Sequence, residues 1–229
     1  MTKKILIWDL PLRLFHWLLV IIISGAWYTS DQDNDLIDYH LLFGYVALGL
    51  IIFRLFWGFL GTTHSKFSEF TPTPKKIIYY IKHFKASQSI DYAGHNPLGA
   101  LMVIFMLAII LLQAISGLFM NDDIFTSGPY YGSINESIEE ALMFFHRNSF
   151  NVILGAIALH LLAILFYRVV KKKRLVAAMI TGKKPSEDVA QKEGIKHSKL
   201  IVACIIALAV TAFVYWLVIL NVPVIEEYY

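Results

Sequence analysis

Five long apolar runs, at roughly residues 11–29, 39–60, 97–120, 145–167 and 200–220, constrain this 229-residue chain more than any other feature. At 1.5 Å per helical residue, each is long enough to cross the roughly 30 Å hydrocarbon core of a bilayer. Hydrocarbon offers no water to the backbone, so a spanning segment must satisfy its own amides and carbonyls, and uninterrupted runs of this length do so as helices. The expectation is an all-α integral membrane protein, and the 57% apolar content agrees. The first run follows Lys3 and Lys4, as a signal sequence would, but it has no small-residue cleavage site. It reads as a retained helix. The single cysteine, Cys204, falls inside the fifth run and has no partner for an intrachain disulfide.

Charge orients the runs. The N-terminal stretch with loops 62–96 and 168–199 holds 18 of the 20 Lys and Arg. Segments 30–38, 121–144 and 221–229 hold none, and instead carry 11 of the 17 acids, among them Asp31, Asp33, Asp35, Asp38, Asp122, Asp123, Glu226 and Glu227. The positive-inside rule places the N-terminus in the cytoplasm and the C-terminus in the periplasm of a bacterial inner membrane. The basic inner face suits anionic membrane lipid, and no nucleic-acid pattern is present.

The first four runs read as a four-helix bundle over residues 1–184. Residues 185–199 read as a basic linker, and 200–229 as one additional C-terminal transmembrane helix with an outer tail. The amphipathic stretch KKIIYYIKHF reads as a short interfacial helix. Asn96 and Pro97 mark a helix start, and Ser137 with Glu140 form a capping-box pattern that starts the fourth helix ahead of its apolar run.

His146 and His160 stand 14 residues apart in the fourth run. Nearly four turns separate them, so both rings leave one helix face about 21 Å apart. A neutral imidazole is a ready axial ligand for haem iron, and two on one stripe suit two stacked haems. The first helix runs inside to outside and the second and fourth run back. His16 is therefore level with His160 at the inner side, and His40 level with His146 at the outer side. Ionisable residues inside apolar spans usually serve function. His64, His83 and His197 lie in the basic loops and read as solvated or interfacial.

Arg54 follows His40 by the same 14 residues and should sit level with the inner pair. Two readings are open for it: a contact to a haem propionate, or snorkelling to inner headgroups. Gly44 lies one turn below His40, where a missing side chain lets a flat macrocycle approach. Gly25, Gly117 and Gly155 serve that purpose or simple helix packing. His95, before Asn96, could meet an inner propionate or a quinone head, or merely complete the helix start. Gln113 and Ser116 could hydrogen-bond across helices.

The motifs WDLPLRLFHW, DYHLLFGYVALGLIIFRLFWGFLG, GHNPLGALMV and H-x13-H resemble the bacterial cytochrome b561 family, which is related to the cytochrome b subunits of nickel–iron hydrogenases. The resemblance covers about residues 1–184, and the fifth helix departs from the family's four-helix pattern. It implies two haem b groups, the inner on His16 and His160 and the outer on His40 and His146, with quinone or quinol as lipid-soluble partner.

Bis-histidine ligation fills both axial positions of iron and suits electron transfer over oxygen binding. The reading is transmembrane electron transfer between the quinone pool and a periplasmic redox protein. An acidic outer face with Arg147 as its only nearby cation favours a cationic partner, such as a basic cytochrome c. One alternative is a superoxide:quinone oxidoreductase. Another is a haem-bearing membrane anchor subunit of a larger dehydrogenase or hydrogenase complex. A metal-ion transporter would need carboxylates or cysteines converging at mid-membrane, and the five apolar runs contain no acid.

Overall fold

The computed structural model describes residues 3–30, 36–84, 92–122, 126–187 and 189–224. Its elements follow in the order β1 (Lys4–Leu6), α1 (Leu10–Tyr28), α2 (Ile37–Leu60), α3 (Phe67–Phe70), α4 (Pro74–Lys82), α5 (Pro97–Gly117), α6 (Glu136–Val169), α7 (Leu175–Thr181), β2 (Lys183–Pro185) and α8 (Leu200–Tyr215). A π-helical turn, Trp216–Leu220, continues α8. α1, α2, α5, α6 and the segment Leu200–Leu220 are long and apolar enough to cross a membrane. The protein is an all-α integral membrane protein, and its five spans fall where the apolar runs place them.

The helix starts follow from local chemistry. The first amides of a helix have no intrahelical acceptor and need a side-chain oxygen. Asn96 Oδ1 accepts from the Gly99 amide at 2.8 Å, with Pro97 as the first helical residue. The amphipathic stretch forms α4, with Thr73 as its cap. α6 begins ahead of its apolar run, but its cap is Asn135 and not Ser137. Asn135 Oδ1 takes the Ser137 amide at 3.0 Å, and the carboxylate of Glu139, not Glu140, takes the Gly132 amide at 2.6 Å. Ser137 is already inside the helix, so its hydroxyl is past the unsatisfied amides.

The chain packs as two compact units. The first comprises Met1–His16, Arg54–Met106 and Ala156–Ile206, and the second Trp17–Phe53, Leu107–Gly155 and Ala207–Tyr229.

The first unit is organised around Asp9, which is fully buried. Its carboxylate caps α1 through the Leu12 amide at 2.8 Å. The same carboxylate accepts from Trp57 Nε1 at 3.1 Å, from Thr62 Oγ1 at 2.5 Å and from Ser65 Oγ. One ion thus ties the start of α1 to the end of α2 and the turn beyond it. The segment around Gly182 is also held here. β1 pairs antiparallel with β2, and the Ile7 and Trp8 amides both bond the Gly182 carbonyl. Gly182 terminates α7 with φ +78°, and a Cβ there would stand 2.6 Å from the Trp8 carbonyl oxygen, so only glycine fits. Lys199 Nζ donates to the Leu60 and Gly61 carbonyls at 3.1 and 2.9 Å, satisfying the last turn of α2.

In the second unit, Leu48, Leu118 and Val218 form a buried cluster, joined by Tyr45, Ile52 and Leu217. The C-terminal end of the fifth span therefore packs into this core. Tyr130 Oη donates to the Leu217 carbonyl at 3.0 Å, at the π-turn where the regular ladder widens.

Replacing Asp9 with Ala would strip an acceptor from four donors. At about 1–3 kcal/mol for each buried group left unpaired, the expected loss is at least ~3 kcal/mol. Ser65→Ala, which removes one donor only, should cost about 1 kcal/mol. Thermal unfolding in detergent checks the order, and an Asp9→Ala protein no less stable than Ser65→Ala would refute the anchoring role.

Candidate haem sites

The second unit holds a cavity of about 440 Å³, lined among others by His40, Gly44, Gly117, His146, Arg147 and Phe150. That volume falls within the range of about 300–1,000 Å³ usual for cofactor sites. His40 sits in the first turn of α2 and His146 in α6, and their ring centroids are 6.2 Å apart with planes at 89°.

Both rings are held by their Nδ1 atoms. His40 Nδ1–H donates to the Ala26 carbonyl at 2.8 Å. Ala26 is in the last turn of α1, where carbonyls lack an intrahelical amide. His146 Nδ1–H donates to the Gln113 carbonyl at 3.0 Å, with Ser116 Oγ at 3.2 Å. Gln113 completes a clamp: its Nε2 donates to the His146 carbonyl at 3.0 Å, and its Oε1 accepts from Ser149 Oγ. A carbonyl acceptor settles each tautomer, leaving Nε2 as the free lone pair for a metal.

His40 and His146 both line this cavity, and they are the residues that would hold a haem iron there. Gly44 has nothing within 4 Å of where its Cβ would be, leaving that face of α2 open to the cavity. A Cβ on Gly117 would meet His146 Cε1 at 3.0 Å, so this glycine makes room for the ring. Gly25 faces Phe43 at 2.8 Å and serves packing, while Gly155 faces open space.

The first unit brings His16 of α1 and His160 of α6 within electrostatic reach of each other. Arg54 belongs to the same unit and is 1% exposed, which ends the snorkelling reading, because a snorkelling guanidinium must reach the surface. It lies over the rings of Phe67 and Phe70, 4.9 and 5.7 Å from their centroids. Asp9 is near enough to interact electrostatically. Its oxygens, however, are engaged by the four donors above. Both terminal nitrogens of Arg54 are buried without a hydrogen-bond partner among the described residues.

His95 completes this group. Its ring is tilted against Trp8 and Phe70, with centroids 4.8 and 4.9 Å away. Its Nδ1 is buried and without a hydrogen-bond partner among the described residues. Burial, then the Arg54 and Lys184 cations, push its pKa down to about 3, so the ring is neutral at physiological pH. Orphaned buried donors are costly unless a further group completes them. The donor set of Arg54 and His95 fits an anionic or carbonyl oxygen, such as a propionate.

Arg147 Nη2 donates to the Asn121 carbonyl at 3.2 Å beside the second-unit cavity. Of the outer acids, Asp31, Asp33, Asp35, Asp123, Glu226 and Glu227 lie outside the described residues. Asp9 was not singled out from the sequence, although an aspartate just before Leu10-Pro11 is a helix-cap signature. Gln113 and Ser116 were visible as polar residues three apart on one apolar face. Their target, His146, was not.

No solved structure matches the chain. It is similar to a probable Ni/Fe-hydrogenase B-type cytochrome subunit of Azotobacter vinelandii, 26% identical over 48% of this chain and 57% of that protein. A probable Ni/Fe-hydrogenase B-type cytochrome subunit of Rhizobium leguminosarum bv. viciae is 20% identical over 81% of this chain and 91% of its own length. That of Azotobacter chroococcum mcd 1 is 26% identical over 42% and 50%. The chain thus spans about half the length of either Azotobacter protein. The profile of the prokaryotic cytochrome b561 family matches residues 7–182. With more than half of its length matched, the chain belongs to the prokaryotic cytochrome b561 family.

Proposed function

We propose that this protein carries electrons between the quinone pool and a periplasmic redox protein through two bis-histidine haem b sites, His16 with His160 and His40 with His146. The observation that carries the reading is the pair His40 and His146, 6.2 Å apart with both Nδ1–H groups tied to backbone carbonyls. Haem, when bound, supplies a one-electron iron couple. The chain's residues do the rest. His40 and His146 would hold the iron through Nε2, and the Ala26 and Gln113 carbonyls keep the rings from rotating. Those hydrogen bonds also raise the basicity of the ligating nitrogens. In the first unit, Arg54 and His95 supply donors for a propionate of the inner group, with Arg54 neutralising its charge. Two histidine ligands from the protein would suit the haem to electron transfer over oxygen binding.

The outer partner follows from charge. An acidic outer surface repels superoxide and attracts a basic cytochrome c, and such attraction weakens with salt. The named relatives favour a second reading, a membrane subunit that passes electrons between a larger hydrogenase-type complex and quinone.

The purified chain should give a b-type optical spectrum with two haems. His146→Ala and His16→Ala should each lose one of the two, with the other spectrum retained. A single haem in the parent protein, or loss of both in each variant, overturns the two-site assignment. Gln113→Leu should leave the haem count unchanged while shifting the outer potential, because the backbone carbonyl stays but the side-chain clamp goes.

Quinol-reduced protein should be reoxidised by a basic cytochrome c at a rate that falls steeply between low and physiological salt. Reduction by superoxide at a salt-independent rate would instead make the chain a superoxide:quinone oxidoreductase. Stoichiometric co-purification of a hydrogenase or dehydrogenase subunit would favour the anchor reading.

A further inference from the structure

A second cavity, of about 360 Å³, is in the first unit, apart from the histidines assigned above. Its described lining includes seven cations, Lys4, Lys171, Lys172, Lys173, Arg174, Lys183 and Lys184, and one carboxylate, Glu187. Seven positive charges around one concavity repel each other, and a low-dielectric wall strengthens that repulsion. A bound anion with more than one oxygen would relieve it. The volume is within the range of small-molecule sites.

The cavity also has a neutral hydrogen-bonding wall. Tyr80 Oη and Tyr167 Oη are hydrogen-bonded at 2.5 Å, and Asn96 Nδ2 donates to Tyr167 Oη at 3.0 Å. All three residues line it. Lys184 Nζ, donating to the Tyr92 and Ala93 carbonyls at 3.1 and 2.7 Å, holds the loop before α5 against β2. Lys172 occupies the left-handed region, φ +55°, just after the end of α6. Such a position usually falls to glycine or asparagine, and a lysine kept there at a conformational cost puts a cation on the rim.

The surroundings select the kind of anion. Three of the elements that contribute lining residues also carry exposed apolar side chains: Ile78 and Ile81 on α4, Val169 and Val170 at the end of α6, and Val176 and Ile180 on α7. A free solute anion has no use for apolar surface on these elements, whereas acyl chains would lie against it. Basic pockets at the cytoplasmic ends of membrane helices suit phosphate headgroups in this way. We infer that the cavity lined by Lys171–Arg174, Lys183, Lys184 and the Tyr80–Tyr167 pair binds the phosphate headgroup of an anionic phospholipid.

The test uses the full haem-loaded chain in detergent micelles doped with phosphatidylglycerol or cardiolipin, with phosphatidylcholine as the neutral comparison. Bound lipid is counted by native mass spectrometry, and thermal unfolding is followed in parallel. About one anionic phospholipid per chain should be retained, with a raised unfolding temperature that phosphatidylcholine does not produce. Lys172→Gln and Arg174→Gln should each weaken retention about fivefold. The haem spectrum, read beside it, reports that each variant is folded. Lys75→Gln with Lys76→Gln, exposed on α4 and outside the cavity lining, should leave retention unchanged. Equal loss in that control pair would overturn the site in favour of diffuse surface attraction. Stabilisation by inorganic phosphate alone, with no added effect of anionic lipid, would overturn the lipid assignment. Unchanged retention in Lys172→Gln and Arg174→Gln would overturn the cavity itself.

Discussion

A polar side chain inside a membrane bundle stays only if something accepts or donates to each of its groups. In the second unit that requirement is met at His40 and His146 by two backbone carbonyls, of Ala26 and Gln113. The same bonds that make the rings tolerable in apolar surroundings also fix their tautomers and aim. Orientation and stability have one cause here. The Ala26 acceptor is available because it comes from the last turn of α1, where the ladder of amides runs out.

The first unit solves the same problem with a carboxylate. Asp9 takes donors from the chain amide of α1, an indole and two hydroxyls, and so joins elements far apart in sequence. Because those four donors occupy its oxygens, Arg54 feels its charge without being completed by it. The guanidinium is left buried over two phenylalanine rings, its terminal nitrogens without a hydrogen-bond partner among the described residues.

Much of this was legible in residue order. The five spans, the early start of α6 and the Asn96–Pro97 entry to α5 follow from run length and cap chemistry. The facing of His40 and His146 follows from helical period and charge-derived direction, which need no tertiary information. The caps of α6 were misplaced by two residues at Asn135, because several polar residues there compete for the same amides. Within the region 185–199, expected as a basic linker, Ile195 is bonded to Leu6 of β1, Ser198 to Leu10 at the start of α1, and Lys199 to the end of α2. Composition reports solubility, not which carbonyl a lysine finds.

The sequence alone determined the membrane class and the five spans, because hydrophobic run length is a local quantity. Tertiary structure decided the rest: which carbonyl holds each ring, that Arg54 is buried and not at the surface, that Asp9 anchors α1, and that seven dispersed cations converge on one cavity. Those outcomes depend on which atoms meet across elements distant in the chain, and no local pattern encodes such meetings.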